Sequence, residues 1–236
     1  MYYDSDGNPH VEEQTSVTLG SCMVKVYRWM AFALAVSGFC AWIVGNSPGL
    51  TEVLVRNPIV FLILIFAEFG LVLGIGAGIN KLSAATASAL LILYSALNGI
   101  TLSVVFLAYT TASIVQVFGI TAATFAVMAT VGTVTKKDLT SLGGFLFMAL
   151  FGLIIASVVN LFWANDTLYW ICTYAGVAIF IGLTAYDTQK IRKMYLATDP
   201  GDTERIGRIA VIGALELYLD FVNLFLYLLR IFGRRR

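Results

Sequence analysis

Seven apolar runs, each long enough to cross a bilayer, occupy almost everything after the first twenty residues of this 236-residue chain. A helix needs about 20 apolar residues to traverse the hydrocarbon, and the windows fall near residues 23–45, 58–80, 84–107, 113–134, 140–163, 168–189 and 209–231. With 59% hydrophobic and only 12% charged residues, too few polar side chains remain to coat a water-soluble globule. The expected fold is therefore an all-α membrane protein with seven transmembrane helices. Residues 1–20 form a polar N-terminal tail and residues 21–236 one transmembrane domain, with no room for a second.

Prolines and short polar stretches punctuate the runs. Pro48 and Pro58 frame the first connection, with Pro58 in the favoured first-turn position of the second helix. The segment Lys190 to Arg208 reads as the one long polar loop, partly helical, with Asp199-Pro200-Gly201 as a turn. Lys and Arg are retained on the cytoplasmic side. Seven spans put Lys25, Arg28, Lys81, Lys136, Lys137, Lys190, Arg192, Lys193, Arg205 and Arg208 on the N-terminal side, against Arg56, Arg230 and Arg234-Arg235-Arg236 opposite. The N-terminus is thus expected in the cytoplasm. The terminal arginines pull the other way, and a re-entrant last segment would return them, but the run from Ile209 to Phe232 is long enough to cross.

Other classes are excluded on composition. Asp4, Asp6, Glu12 and Glu13 make the start acidic, unlike a signal peptide. Cys22, Cys40 and Cys172 show no CxxC spacing and read as small core residues, while the single histidine, His10, leaves a zinc site without ligands. No basic patch with interleaved aromatics points to nucleic acid, and no GxSxG, HExxH or phosphate-binding glycine loop occurs.

Ionisable groups inside a span are costly and so are functional candidates. Here they are Glu68 in the second helix, Asp187 late in the sixth, and Glu216 with Asp220 in the seventh. Glu216, Asp220 and Asn223 share one face by their spacing, and that face should point inward. Two aspartates brought together in low dielectric cannot both ionise easily, so Asp187 and Asp220 would share a proton. Glu68, Glu216 and Asn223 are possible pore or ion contacts; interhelical hydrogen bonding is the plainer role for each. Depth counting sets Asp187 nearer the cytoplasmic edge than Asp220, so contact requires tilt or a vestibule. Gly70, Gly74 and Gly78 form a small-residue face suited to close helix packing.

The stretch Gly182-Leu183-Thr184-Ala185-Tyr186-Asp187-Thr188-Gln189-Lys190-Ile191, followed by Ala214-Leu215-Glu216-Leu217-Tyr218-Leu219-Asp220-Phe221-Val222-Asn223, closely resembles the C-terminal signature of the Bax inhibitor-1 family. Tyr94-Ser95-Ala96-Leu97-Asn98-Gly99, Thr135-Lys136-Lys137-Asp138-Leu139 and Ser157-Val158-Val159-Asn160 resemble its other markers in order, and the compact loops resemble the bacterial inner-membrane branch. The resemblance implies six helices surrounding the last, and a Ca²⁺ leak whose pH sensor is the aspartate pair, here Asp187 and Asp220. It also implies a basic residue on the second helix that latches the pair; only Lys81 lies near that place, and lysine lacks the bidentate fork of arginine. Ca²⁺ would be transported cargo held briefly by Asp187 and Asp220, with no resident cofactor. Bacterial relatives offer a second role, restraint of a membrane-anchored AAA protease, with the acidic tail as the handle. An enzyme fits less well. Tyr186-Asp187 matches one motif of intramembrane aspartyl proteases, but Leu217-Tyr218-Leu219-Asp220 departs from their Gly-x-Gly-Asp, and no Pro-Ala-Leu follows.

Overall fold

The computed structural model describes residues 10–78 and 81–236, with the backbone alone for 10–19 and Ser21. The described residues form helices and no strand: α1 (His10–Gly45), α2 (Pro48–Arg56), α3 (Pro58–Gly78), α4 (Ala84–Leu102), α5 (Val105–Ala108), α6 (Thr111–Val134), α7 (Thr140–Trp163), α8 (Asp166–Leu196) and α9 (Thr203–Phe232). Seven stretches are long and apolar enough to cross a membrane: Cys22–Gly45 of α1, α3, α4 continued through α5, α6, α7, α8 and α9.

Local chemistry sets most of the helix ends. Side chains of Ser83, Asn165 and Asp202 accept hydrogen bonds from Thr86 N (3.0 Å), Leu168 N (2.9 Å) and Arg205 N (2.9 Å), capping α4, α8 and α9. Pro48 and Pro58 open α2 and α3, where the missing N–H costs nothing. Ala164, with φ of 42°, takes the left-handed conformation that ends α7 and turns the chain into α8.

Several boundaries differ from those expected. Helix α1 begins at His10, so residues 10–20 are helical backbone rather than an extended tail. The third span breaks after Leu102, where Ser103 Oγ donates to Ile100 O at 2.6 Å, and resumes as α5. The loop expected from Lys190 to Arg208 shrinks to residues 197–202, because α8 continues to Leu196 and α9 starts at Thr203. Hydropathy registers only the part of a helix that lies in hydrocarbon; Gln189, Lys190, Arg192 and Lys193 find partners on neighbouring elements and let α8 run on.

Helix α9 is the most buried span, and its packing partners are chiefly α1, α4, α6 and α8. Four spans rather than six supply its main contacts: α3 packs on α4, and α7 on α8, at the outside of the bundle. Their exposed side chains are apolar, among them Phe66, Phe69, Phe145, Met148 and Phe151, as a lipid-facing surface requires. Close helix contact falls at glycines outside the expected face. A Cβ on Gly132 would lie 2.2 Å from the Ala185 carbonyl of α8, and one on Gly99 2.5 Å from the Ser37 carbonyl of α1. Gly70 and Gly74 have nothing within 4 Å, and Gly78 meets only Leu82, so the glycine face of α3 packs against no other helix among the described residues.

Helix α9 is long and apolar enough to cross, and it runs on to the far end of the bundle. Beyond it, Thr110 N donates to Arg234 O (3.1 Å), Arg236 N to Ala108 O (3.0 Å) and Arg234 N to Ser113 Oγ (2.9 Å). The C-terminal arginines are thereby tied to the α5–α6 junction, at the end of the bundle opposite the start of the first span, and the last segment does not turn back.

Candidate functional site

Helices α8 and α9 form an antiparallel pair in one register: Gly176 faces the Tyr227 ring, Asp187 faces Asp220, Lys190 faces Glu216, and Ile191 faces Gly213. The extension of both helices past the expected ends brings the two aspartates level. Asp187 and Asp220 are 5% and 3% exposed, and their carboxyl groups are close enough to share a hydrogen bond. Lys190, one turn after Asp187, places Nζ 2.6 Å from Glu216 Oε1 and 3.8 Å from Asp187 Oδ1.

Two carboxyl groups, Asp187 and Glu216, therefore share one ammonium, and Asp220 lies beside Asp187. Asp187 Oδ1, Glu216 Oε2 and Asp220 Oδ2 are buried without a hydrogen-bond partner. Burying a carboxylate oxygen without a hydrogen-bond partner is unfavourable; Asp187 and Glu216 have the Lys190 ammonium within ion-pair distance as partial compensation. Among the described residues, no group of three or more His, Cys, Asp or Glu side chains is arranged to hold a metal ion.

The other candidates sit elsewhere. Lys81 is exposed and forms no ion pair among the described residues; the lysine beside the aspartates is Lys190. Asn223 Nδ2 turns back to Leu219 O of its own helix at 2.8 Å and does not join the cluster. Glu68 belongs to a second network on the opposite face of α9. It accepts from Asn98 Nδ2 at 2.8 Å and from the Thr101 hydroxyl. Tyr218 OH donates to Asn98 Oδ1 at 2.7 Å and lies 2.6 Å from Ser37 Oγ, which is itself 2.7 Å from Ser95 O. Four spans, α1, α3, α4 and α9, meet through this chain of hydrogen bonds, which gives Glu68 a packing partner for each oxygen.

On the N-terminal side, buried Gln189 clamps the α6–α7 connection: its Nε2 donates to Lys137 O at 2.8 Å and its Oε1 accepts from Leu139 N at 2.9 Å. Asp138 in that connection pairs with Lys193 at 2.5 Å, and this contact, with further hydrogen bonds from Thr140, holds its carboxyl well below the usual carboxylate range.

Sequence reasoning missed two residues of these networks. Lys190 was assigned to a loop, although its spacing of three from Asp187 is the signal of a shared helical face. Tyr218 read as a core aromatic; its hydroxyl becomes a network node only because Asn98 and Ser37 come to it from other helices.

Fold and site together define a polytopic helical membrane protein with a paired-carboxylate cluster between its last two spans. The family model described as "Inhibitor of apoptosis-promoting Bax1" matches residues 19–236, and the chain belongs to the Bax inhibitor-1 family. It is 47% identical over 223 residues to inner membrane protein YbhL of Escherichia coli strain K12, covering 94% of this chain and 95% of YbhL. It is also 45% identical over 225 residues to an uncharacterized protein of Borreliella burgdorferi, covering 95% of this chain and 97% of that one. An uncharacterized protein of Deinococcus radiodurans is 38% identical over 226 residues, 95% of each chain.

Proposed function

We propose that this protein is a pH-sensitive Ca²⁺ leak channel of the bacterial inner membrane, with Asp187 and Asp220 as its proton sensor and its N-terminus in the cytoplasm. The observation that carries this reading is the pair of buried aspartates on adjacent helices, each with an unpartnered oxygen, beside one lysine shared with Glu216. The similarity to YbhL, named as an inner membrane protein, supports the location, and the excess of Lys and Arg on the N-terminal side supports the orientation.

A proton shared between the aspartates satisfies both carboxyl groups without an ion. Removing it leaves negative charge and oxygen ligands facing one another, and a passing Ca²⁺ then replaces the proton. Lys190 serves as the internal counter-charge that limits how much cation the cluster takes.

The test is Ca²⁺ flux in liposomes holding only the purified protein, across a pH series. Flux that changes steeply around neutrality, with the pH dependence lost in Asp187→Asn and in Asp220→Asn, supports the reading. An unchanged profile in either variant overturns it. A folded protein without flux at any pH moves the weight to a non-transporting regulator that binds a membrane-anchored AAA protease. That second reading draws on one observation: helix α1 begins at His10, twelve residues before the first span, and so carries helical backbone out of the membrane on the N-terminal side.

A further inference from the structure

On the N-terminal side of the bundle, between the α6–α7 connection and the end of α8, lies a cavity of about 580 Å³. Lys136, Lys137, Arg192 and Lys193 line it, and Asp138 is its only carboxylate. Asp138 is already engaged by Lys193, which leaves Lys136, Lys137 and Arg192 without an acidic partner among the described residues. Gln189 pins the backbone of Lys137 and Leu139, so the lysines are held over α8 on a fixed loop.

Retention of positive charge on the cytoplasmic side accounts for lysines in this connection. It does not account for Arg192. That guanidinium gives Nη1 to Thr133 O at 3.2 Å, while its Nε is buried with no acceptor. A buried donor of this kind is rarely left unsatisfied, and the side chain that carries it borders the cavity. A guanidinium and lysines lining one cavity suit a tetrahedral oxyanion: the guanidinium supplies charge-assisted hydrogen bonds, and the lysines supply point charge.

We propose that this cavity binds a phosphate-class anion, donated by an acidic phospholipid headgroup of the adjacent leaflet or by a soluble phosphorylated compound. Occupancy would tie the α6–α7 connection to α8 one turn from Asp187 and Lys190. The proposal stands whether or not the protein conducts Ca²⁺.

Two arms separate the sources. In detergent, inorganic pyrophosphate is titrated calorimetrically into the full chain at constant ionic strength. In nanodiscs, the unfolding temperature is compared between phosphatidylcholine alone and phosphatidylcholine with phosphatidylglycerol. Saturable binding in the first arm identifies a soluble ligand, stabilisation in the second a headgroup, and either supports the site. Arg192→Gln should weaken the response roughly tenfold or more, as loss of charge-assisted paired hydrogen bonds implies. Arg192→Lys, which keeps the charge but not the fork, should weaken it too. Lys137→Gln, at an exposed position that folding tolerates, should reduce it without unfolding the protein. Lys25→Gln removes an exposed charge from the same side but outside the cavity, and should leave it unchanged. No response in either arm from folded wild-type protein, or equal weakening by Lys25→Gln, overturns the proposal.

Discussion

Removing the ammonium of Lys190 leaves Glu216 and Asp187, beside Asp220, with no cation within ion-pair distance among the described residues. Lys190→Gln is therefore expected to shift the pH midpoint of Ca²⁺ flux by about one unit or more, whereas Lys81→Gln, at an exposed lysine with no ion pair among the described residues, should leave it in place. Equal shifts in liposome assays would return the counter-charge role to Lys81. Asp187→Asn and Asp220→Asn keep volume and hydrogen-bonding capacity, so both variants should stay folded while losing the pH response. Their double-mutant cycle should be strongly non-additive, because either substitution alone abolishes the carboxyl–carboxyl repulsion; additive effects would mean the two act separately. Asp138 responds to pH in the opposite sense. Lys193 depresses its titration in the folded state, so its contribution is complete above the ordinary aspartate value and is lost as pH falls through the depressed one. The difference in unfolding temperature between wild type and Asp138→Asn should be small and positive at neutral pH, persist at mild acidity, and close only well below about pH 4. A difference that widens on acidification would contradict the pairing.

At the scale of helices, the contrast between glycines offers a direct test. Gly132→Ala forces a Cβ against the Ala185 carbonyl, a backbone atom that cannot rotate away, and should destabilise the bundle by about 1–3 kcal/mol or more. Gly74→Ala meets nothing and should be neutral, or stabilising by about 1 kcal/mol, through helix propensity. Thermal scanning in detergent separates the two; similar losses would mean that the glycine face of α3 is packed against another helix. The same contrast shows what the sequence could reveal. Spacing marks a small-residue face but not whether protein or lipid covers it, so Gly70 and Gly74 were misread while Gly132 passed unnoticed. The span at Thr140–Trp163 was legible to the residue because polar groups bracket it on both sides. The ends of α8 and α9 were not, because Lys190, Arg192 and Lys193 are solvated by partners that hydropathy does not register. The Asp187–Asp220 pair was legible from the family signature, yet its level placement depended on those unread ends.

Across the whole molecule, seven crossings put the two ends of the bundle on opposite faces. A reporter joined at Thr18, or inserted at residues 199–201 between α8 and α9, should report the cytoplasm, and one after Arg236 the opposite side. A cytoplasmic signal after Arg236 would contradict the complete crossing of α9. The arrangement also bears on the order in which the molecule can be assembled. The helix that α1, α4, α6 and α8 all pack against is encoded after every one of them. During synthesis, four of the six earlier spans therefore precede the helix they share, and the Asn98 carbonyl oxygen has no Tyr218 hydroxyl to accept from until α9 follows. Until α9 follows, α1 and α3 can pack on α4, and α6 and α7 on α8, but the helix against which both groups close is missing.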